Sequence, residues 1–405
     1  MATRGYLEGY YGRLLDWPER AAILDTLAAL GLNAYAYAPK EDARHRARWR
    51  EPYGATWRTA FADFCLAARA CGVDVIAGLA PGIDFDFAAL RAGDGAGSDL
   101  DVAADKLARL REDGAARAML LLDDIDADFP RRSGGLASEG EAHARLANRL
   151  GERLDAALIV VPRIYAGELA AGAPDYLGDF ARTLDPRHAV SVCGRDVVSR
   201  TVRARDCRLP DDVPGRETIL WDNLYANDYC PRRLFVGPWQ GREDVDDVLL
   251  NATGWPATDR LQLALMAAGA RDDARGADAS ARAASVREVL AGHGVPAAFG
   301  HVAGAFRHPA TNDRLDEPPI DLGSAPAVLD ALDELLWRWK TPLSREWYPW
   351  LFGLRHDLLI EACELPAERV LKTQTPPLAR ALARATRRRE ADFADEGQRT
   401  RRCDP

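Results

Sequence analysis

No stretch of the 405 residues reaches the about 18 consecutive apolar residues that span a bilayer. The opening Met1-Ala-Thr-Arg-Gly-Tyr-Leu-Glu lacks the apolar segment of a signal peptide, so a cytoplasmic protein is expected. Basic residues are not in excess: 53 Lys and Arg against 62 Asp and Glu leave a formal charge of −9, which argues against nucleic acid or an anionic membrane as partner. The seven cysteines (65, 71, 193, 207, 230, 363 and 403) form no C-x-x-C pair and are odd in number, so neither a disulfide framework nor a zinc site is expected. The seven histidines are dispersed, with no H-E-x-x-H or H-x-H among them; no metal and no organic cofactor is called for. Nor does a G-x-G-x-x-G follow the first strand, as a dinucleotide-binding open sheet would require.

What is present is an ordinary globular composition, 47% hydrophobic and 28% charged, in which short β-branched or aromatic runs alternate with Ala/Leu-rich amphipathic stretches. Strands are expected at 5–11, 34–38, 73–80, 118–122, 157–164, 189–192, 218–221 and 248–250, with helices such as 57–71, 100–112, 141–153 and 175–184 between them. Eight parallel strands with helical crossovers make an α/β protein, a (β/α)₈ TIM barrel. The first helix is marked by capping-box spacing of Asp16 and Glu19, by Pro18 in its first turn, by the stripe Ile23, Leu24, Leu27 and Leu30, and by Gly31 as its stop. After about residue 258 only helical signals remain (260–268, 279–290, 325–339, 351–364 and 377–390), with a Pro- and Asp-containing connector at 307–323. The expected organisation is a catalytic barrel over 1–275, a C-terminal helical region over 276–390, and a polar, disordered tail over 391–405. Trp337, Trp339, Trp347 and Trp350 are expected to bury against the helices or to form an interface.

In such a barrel the C-terminal strand ends converge on one mouth, and here those ends are rich in acids, amides and aromatics. The sharpest element is Asp123-Asp124 after the apolar run Met119–Leu122. Neighbours on a strand face opposite ways and two carboxylates repel, so both enter the mouth only where the chain curls at the strand end. One could then orient a substrate while the other shuttles a proton. The same residues, with Asp126 and Asp128, could instead form a solvated acidic loop with a helix cap, or a divalent-cation cluster. Gly9, Lys40, Asn223, Asn227 and Asp228 each have a bland reading as turn or surface residues, but their joint occurrence on successive strand ends suits a sugar, with Tyr165, Trp221 and Tyr229 as walls.

The segments Glu8-Gly-Tyr-Tyr-Gly-Arg13, Tyr35-Ala-Tyr-Ala-Pro-Lys40, Trp49-Arg-Glu-Pro-Tyr53, Leu122-Asp-Asp-Ile-Asp126 and Trp221-Asp-Asn-Leu-Tyr-Ala-Asn-Asp-Tyr229 resemble glycoside hydrolase family 84, over roughly residues 4–255. That family comprises β-N-acetylglucosaminidases, including protein O-GlcNAcases and hyaluronidase-like toxins. The resemblance implies a retaining exo-hydrolase whose nucleophile is the substrate's own acetamido oxygen, giving an oxazoline. It gives Asp123 the role of holding the acetamido N–H and Asp124 that of acid and base. It gives Gly9 a backbone contact and Lys40 a hydroxyl or acetamido contact. Tyr165 and Trp221 then line the acetyl pocket, Asn223 orients the acetamido group or the neighbouring aspartate, and Asp228 takes the 4- and 6-hydroxyls, with Tyr229 beside it. Asn251 makes a further hydroxyl contact.

One departure stands out. Where the family usually has Trp-Thr-Gly-Pro on the sixth strand, this chain has Val192-Cys193-Gly194-Arg195, which puts a thiol at the acetyl pocket. The expected partner is a glycoside or glycoprotein carrying terminal N-acetylglucosamine, and the C-terminal helices are expected to support the barrel or to make a homodimer. Two rivals remain at this stage: a non-hydrolytic or altered-specificity sugar-binding barrel, and a metal-dependent enzyme using Asp123, Asp124 and Asp126.

Overall fold

A computed structural model describes residues 2–90, 97–210, 213–231, 233–307, 309 and 325–361. The chain divides into two compact units. The first comprises Met1–Asp228 with Pro238–Arg282, and the second Tyr229–Gly237 with the chain from Ala283 onward.

The first unit starts with β1 (Arg4–Glu8), α1 (Trp17–Leu30), β2 (Ala34–Tyr37), α2 (Ala55–Ala70), β3 (Asp74–Leu79), α3 (Asp99–Glu112) and β4 (Arg117–Leu121). The single turn α4 (Phe129–Arg132), α5 (Glu139–Arg153), β5 (Leu158–Val161), α6 (Tyr176–Thr183), β6 (Ala189–Val192), β7 (Thr218–Asp222), β8 (Val248–Asn251) and α7 (Pro256–Arg275) follow. The strands close in sequence order into a parallel barrel, with β1 paired to both β2 (Tyr6 opposite Tyr35) and β8 (Tyr6 opposite Leu250). The expected barrel is therefore present, each strand within a few residues of its sequence-derived limits.

Alternation along the strands sorts side chains into two shells. Leu7, Ala34, Ala36, Ile76, Met119, Leu121, Ile159, Val161, Ile219 and Leu249 fill the lumen. Their neighbours Tyr35 and Tyr37 turn outward onto the helices, with Tyr35 5.0 Å from Phe64 and Tyr37 5.8 Å from Phe61 between ring centroids. Glu8 shares this outward parity. It is fully buried against α1, clasped by both nitrogens of the Arg20 fork (2.8 and 2.9 Å) and by the Tyr35 hydroxyl (2.8 Å), so this carboxylate holds a helix and does not enter the mouth.

Local signals account for the helix limits. The Asp16–Glu19 capping box forms in both directions and Gly31 closes α1 at φ 69°, a left-handed turn that glycine takes without a Cβ penalty. α7 is longer than the expected 260–268, running from Pro256 in its first turn to Gly276 at φ 63°. The β6–β7 and β7–β8 crossovers carry no α-helix among the described residues of this unit. A buried ion pair secures them instead: Arg242 grips Asp222 through two bonds (2.8 and 3.0 Å) and donates to the carbonyls of Ser199, Arg200 and Gln240.

The second unit contains most of α8 (Ala279–Gly292), then α9 (Ala325–Asp333), which runs into a π-turn over Glu334–Arg338, and α10 (Pro342–Glu361). Trp347 is fully buried there, 5.2 Å from Phe299 and 5.7 Å from Trp339, and Trp350 donates to the Pro231 carbonyl (3.1 Å). Trp337 is half-exposed. α10 starts nine residues ahead of the expected 351 because Thr341 and Ser344 cap it reciprocally (2.9 and 3.1 Å) and Pro349 lies inside it, not before it. The expected helix 377–390, the tail 391–405 and nearly all of the connector 307–323 lie outside the described residues.

At the base of β5 the His188 ring is buried and its Nδ1 accepts the Leu158 N–H (3.0 Å), which requires neutral imidazole. Burial, with Arg187 and Arg216 nearby, lowers its pKa to about 4, whereas the unfolded residue titrates near ~6.5. The unfolded chain therefore binds this proton first. The group's contribution to stability is complete above about pH 6.5 and is lost as the pH falls through about 4. In urea unfolding between these limits, His188→Gln, which can still accept from Leu158, is expected to lose stability less steeply on acidification than the wild type; identical slopes would refute the assignment.

Candidate active site

The β4 ladder continues for one residue, with the Leu122 N–H donating to the Val161 carbonyl (2.9 Å), and delivers Asp123 to the lumen side, buried. Asp124 would then face outward, but its φ of +53° turns the chain into the left-handed region. That conformation costs a non-glycine residue of order 1–2 kcal/mol, least for Asp and Asn. This is the curl that two adjacent carboxylates need in order to share one mouth.

Asp124 is exposed, and three donors hold it. Tyr11 donates to Oδ2 (2.9 Å), Tyr165 donates to Oδ1 (2.7 Å), and Arg46 Nη2 donates to its backbone carbonyl (2.5 Å). Burial first, and then the Asp124 charge, push both phenols well up, so they keep their protons and serve as donors. Arg46 Nη1 also donates to the Tyr11 oxygen (2.6 Å).

Asp123 sits in a drier place. Its Oδ2 accepts a close hydrogen bond from Lys40 Nζ, and both side chains are almost sealed from solvent. Lys40 also lies over the Trp221 ring, 5.5 Å from its centroid. Asp123 Oδ1 is buried and has no hydrogen-bond partner among the described residues. An orphaned acceptor of this kind costs about 1–3 kcal/mol, and its need is for an N–H or O–H that the described residues do not supply.

Asn223 forms the opposite wall. Its Oδ1 accepts from Trp221 Nε1 and from Asn251 Nδ2 (both 2.9 Å), while its Nδ2 donates to the Val197 carbonyl (2.9 Å) and to Cys193 Sγ (3.4 Å). Asn251 Oδ1 in turn accepts the Gly9 N–H (3.2 Å). Gly9 has to be glycine, since a Cβ there would stand 2.6 Å from Trp221 Cζ2. These bonds stitch together the ends of β1, β6, β7 and β8. Cys193 is buried among Asp123, Asp124 and Asp222; burial first, and these charges after it, push its thiol well up, so it stays protonated. Its backbone N–H donates to the Tyr165 carbonyl (2.7 Å).

Asp228 reaches the β1 loop, where its Oδ2 accepts the Tyr11 N–H (2.9 Å). Tyr229, half-exposed, opens the stretch that groups with the second unit. Among the described residues no group of three or more His, Cys, Asp or Glu side chains is placed to hold a metal ion, so a cluster of Asp123, Asp124 and Asp126 does not form. Sequence reasoning missed Arg46, the role of Tyr11 in holding Asp124, and the Asp222–Arg242 pair. Tyr11 lay within a quoted motif. Nothing in the arginine-rich segment Arg44-His-Arg46-Ala-Arg48 marks one member as different from the others.

The model of a β-N-acetylglucosaminidase family matches residues 4–303. The protein O-GlcNAcases of Rattus norvegicus and Mus musculus are each 29% identical over 244 residues, 59% of this chain and 26% of theirs, so the match spans about a quarter of the length of these relatives. Among solved structures, a mutant of the Thermobaculum terrenum O-GlcNAc hydrolase superposes with a TM-score of 0.73 at 20% identity, covering 97% of this chain and 96% of that one. CpGH84B superposes with a TM-score of 0.69 at 22% identity, covering 96% of this chain and 74% of that one. At these identities the superpositions speak for the fold.

The Asn223 wall can be tested by itself. Asn223→Ala leaves the Trp221 and Asn251 N–H donors buried without an acceptor, and is expected to lower the unfolding free energy in urea by about 1–3 kcal/mol and to change tryptophan fluorescence. An unchanged midpoint would show that the wall does not depend on this amide.

Proposed function

The chain belongs to the β-N-acetylglucosaminidase family, glycoside hydrolase family 84, and from that premise we propose that it is a retaining exo-β-N-acetylglucosaminidase working by substrate-assisted catalysis. The observation that carries this reading is the orphaned Oδ1 of Asp123. A carboxylate oxygen buried beside Lys40 and without a donor among the described residues suits the N–H of a 2-acetamido group. Accepting that N–H aims the acetamido carbonyl oxygen at C1 and stabilises the positive charge that develops on the amide.

The carbonyl oxygen then bonds to C1 as the bond from C1 to the leaving oxygen breaks, and Asp124 supplies the proton that the leaving oxygen takes up. The product is an oxazolinium ion whose N–H stays hydrogen-bonded to the Asp123 carboxylate; Asp123 takes that proton as the neutral oxazoline forms and returns it when the ring opens. Water enters from the vacated side, gives a proton to Asp124 and attacks C1, reopening the ring and restoring the β-configuration. The separate surroundings of the two acids support this division. Asp123 is sealed and locked to a cation, whereas Asp124 is exposed at the mouth, where a leaving group departs.

Trp221, Tyr165 and the neutral thiol of Cys193 offer an apolar pocket for the acetyl methyl. In this reading Gly9 through its carbonyl, Asn251 at the end of β8 and Asp228 on the loop after β7 contact the sugar hydroxyls. Asn223, with its amide engaged by four protein groups, acts in this reading by holding Trp221 and Asn251. The substrate is a glycoside or glycoprotein bearing terminal β-linked N-acetylglucosamine, met in the cytoplasm. No helix among the described residues is long and apolar enough to cross a membrane.

The test is hydrolysis of aryl β-N-acetylglucosaminides by chelator-treated protein. Turnover is expected to persist without added metal. Asp123→Asn is expected to lower kcat/KM by about 10²-fold or more on every aryl substrate, and Asp124→Asn by a similar factor only where the leaving group is poor. Binding of an oxazoline-mimicking inhibitor without turnover would overturn hydrolysis in favour of a sugar-binding protein, and turnover restored only by a divalent cation would overturn the mechanism.

A further inference from the structure

Arg46 lies 78 positions before Asp124 in sequence and sits on the loop between β2 and α2, yet both of its terminal nitrogens are spent around that aspartate. Nη2 holds the Asp124 carbonyl, the group whose orientation the left-handed φ of +53° sets. Nη1 donates to the Tyr11 hydroxyl oxygen, and the guanidinium also lies 5.4 Å from the centroid of the Tyr11 ring. An arginine only donates. With Arg46 on the phenol oxygen, the phenol proton points away from it, and the acceptor in reach is Asp124 Oδ2 (2.9 Å). One side chain thus fixes the backbone of Asp124 directly and its carboxylate through Tyr11.

The mounting of Arg46 fits this task. Its loop is pinned from beneath by Lys106, whose ammonium donates to the carbonyls of Arg44, Trp49 and Glu51 (2.6 to 2.7 Å), and by His45, whose Nδ1 lies 3.0 Å from the Gly78 carbonyl. The Asp42 carboxylate adds bonds from Tyr37, Tyr53 and the Arg44 N–H (2.6 to 2.8 Å). The Nε–H of Arg46 is buried with no partner among the described residues, a cost that an arginine placed for surface charge would not carry.

We propose that Arg46 is a positioning residue for the proton-transferring carboxylate: it locks Asp124 in its left-handed turn and, through Tyr11, sets the orientation from which Asp124 protonates the leaving oxygen. This rests on the reading of Asp124 as acid and base. Protonation matters in proportion to how poor the leaving group is, so the loss of Arg46 should follow leaving-group basicity. A general loosening of the barrel would not.

The experiment compares wild type, Arg46→Gln, Arg46→Lys, Tyr11→Phe and Asp124→Asn on 2,4-dinitrophenyl, phenyl and methyl β-N-acetylglucosaminides, with an oxazoline-mimicking inhibitor as a probe of the sugar pocket. For Arg46→Gln, kcat/KM, which reports only the steps up to departure of the leaving group, is expected to fall about 10²-fold on the phenyl and methyl glycosides and less than about fivefold on the dinitrophenyl one. Inhibitor affinity should stay within about twofold. Tyr11→Phe, which keeps the backbone contact, should show the same pattern with a smaller amplitude, and Arg46→Lys, which cannot span both acceptors, should fall between wild type and Arg46→Gln. Equal losses on all three substrates, a matching loss of inhibitor affinity, or no loss would overturn the proposal. Should Arg46→Gln fail to fold, Tyr11→Phe and Arg46→Lys decide by the same criterion. Asp124→Asn separates the two claims: without leaving-group dependence there, the acid–base reading itself fails, whereas dependence there but not in the Arg46 variants sinks only the role of Arg46.

Discussion

Two adjacent carboxylates can serve one mouth only if the backbone departs from strand geometry between them, and the left-handed turn at Asp124 is that departure. Much of the site follows from it. Asp123 keeps the inward parity of Met119 and Leu121 and meets Lys40 in the lumen. Asp124, swung from its outward course, finds Tyr11 from the β1 loop, Tyr165 from the β5 loop and Arg46 from the β2 loop. Three loops thereby converge on a residue whose conformation costs energy in isolation, and that convergence keeps the strained form as the resting one.

The far wall uses a different economy. Around Asn223 the donors and acceptors of Trp221, Asn251, Gly9, Cys193 and Val197 satisfy one another, so the groups facing a ligand do not have to reorganise when one arrives. The tight approach of Gly9 to Trp221 adds a steric stop to the network. Behind it, Arg242 ties Asp222, which lies between Trp221 and Asn223 in sequence, to the carbonyls of Ser199 and Arg200. The crossovers without an α-helix among the described residues are thus fixed by hydrogen bonds at the place where the wall needs them.

The barrel was legible because short β-branched or aromatic runs, a capping box and a terminal glycine are local signals; β6 at 189–192 and the Asp16–Glu19 box could be read from a few residues each. The aspartate pair was legible because adjacent acids at a strand end conflict with both parity and charge. Arg46 and Arg242 were not. Their partners lie 78 and 20 positions away, and one arginine among Arg44, Arg46, Arg48 and Arg50 acquires meaning only when the loops are brought together. The start of α10 was placed too late, and the Thr341–Ser344 cap with the burial of Trp347 carries the helix through Pro349. Asn223 was recognised as important, but its four protein partners became visible only with the fold.

Three buried carboxylates in the barrel unit illustrate how cation choice separates scaffold from site. Glu8 and Asp222 each meet an arginine fork, and each of their oxygens accepts at least two bonds once Tyr35, Leu15, Trp239 and the Leu224 N–H are included. Nothing is left over on either. Asp123 meets a lysine, which presents a point charge where arginine presents a planar fork. The lysine fills one oxygen and leaves Oδ1 empty in a dry pocket. An arginine at position 40 could complete the pair as it does elsewhere in this barrel, at the expense of the vacancy. Stability alone would favour the closed arrangement, since an unmet buried acceptor is a net cost. Keeping it open makes sense if the missing donor arrives with the substrate, so the lysine at position 40 and the vacant oxygen on Asp123 are two sides of one requirement.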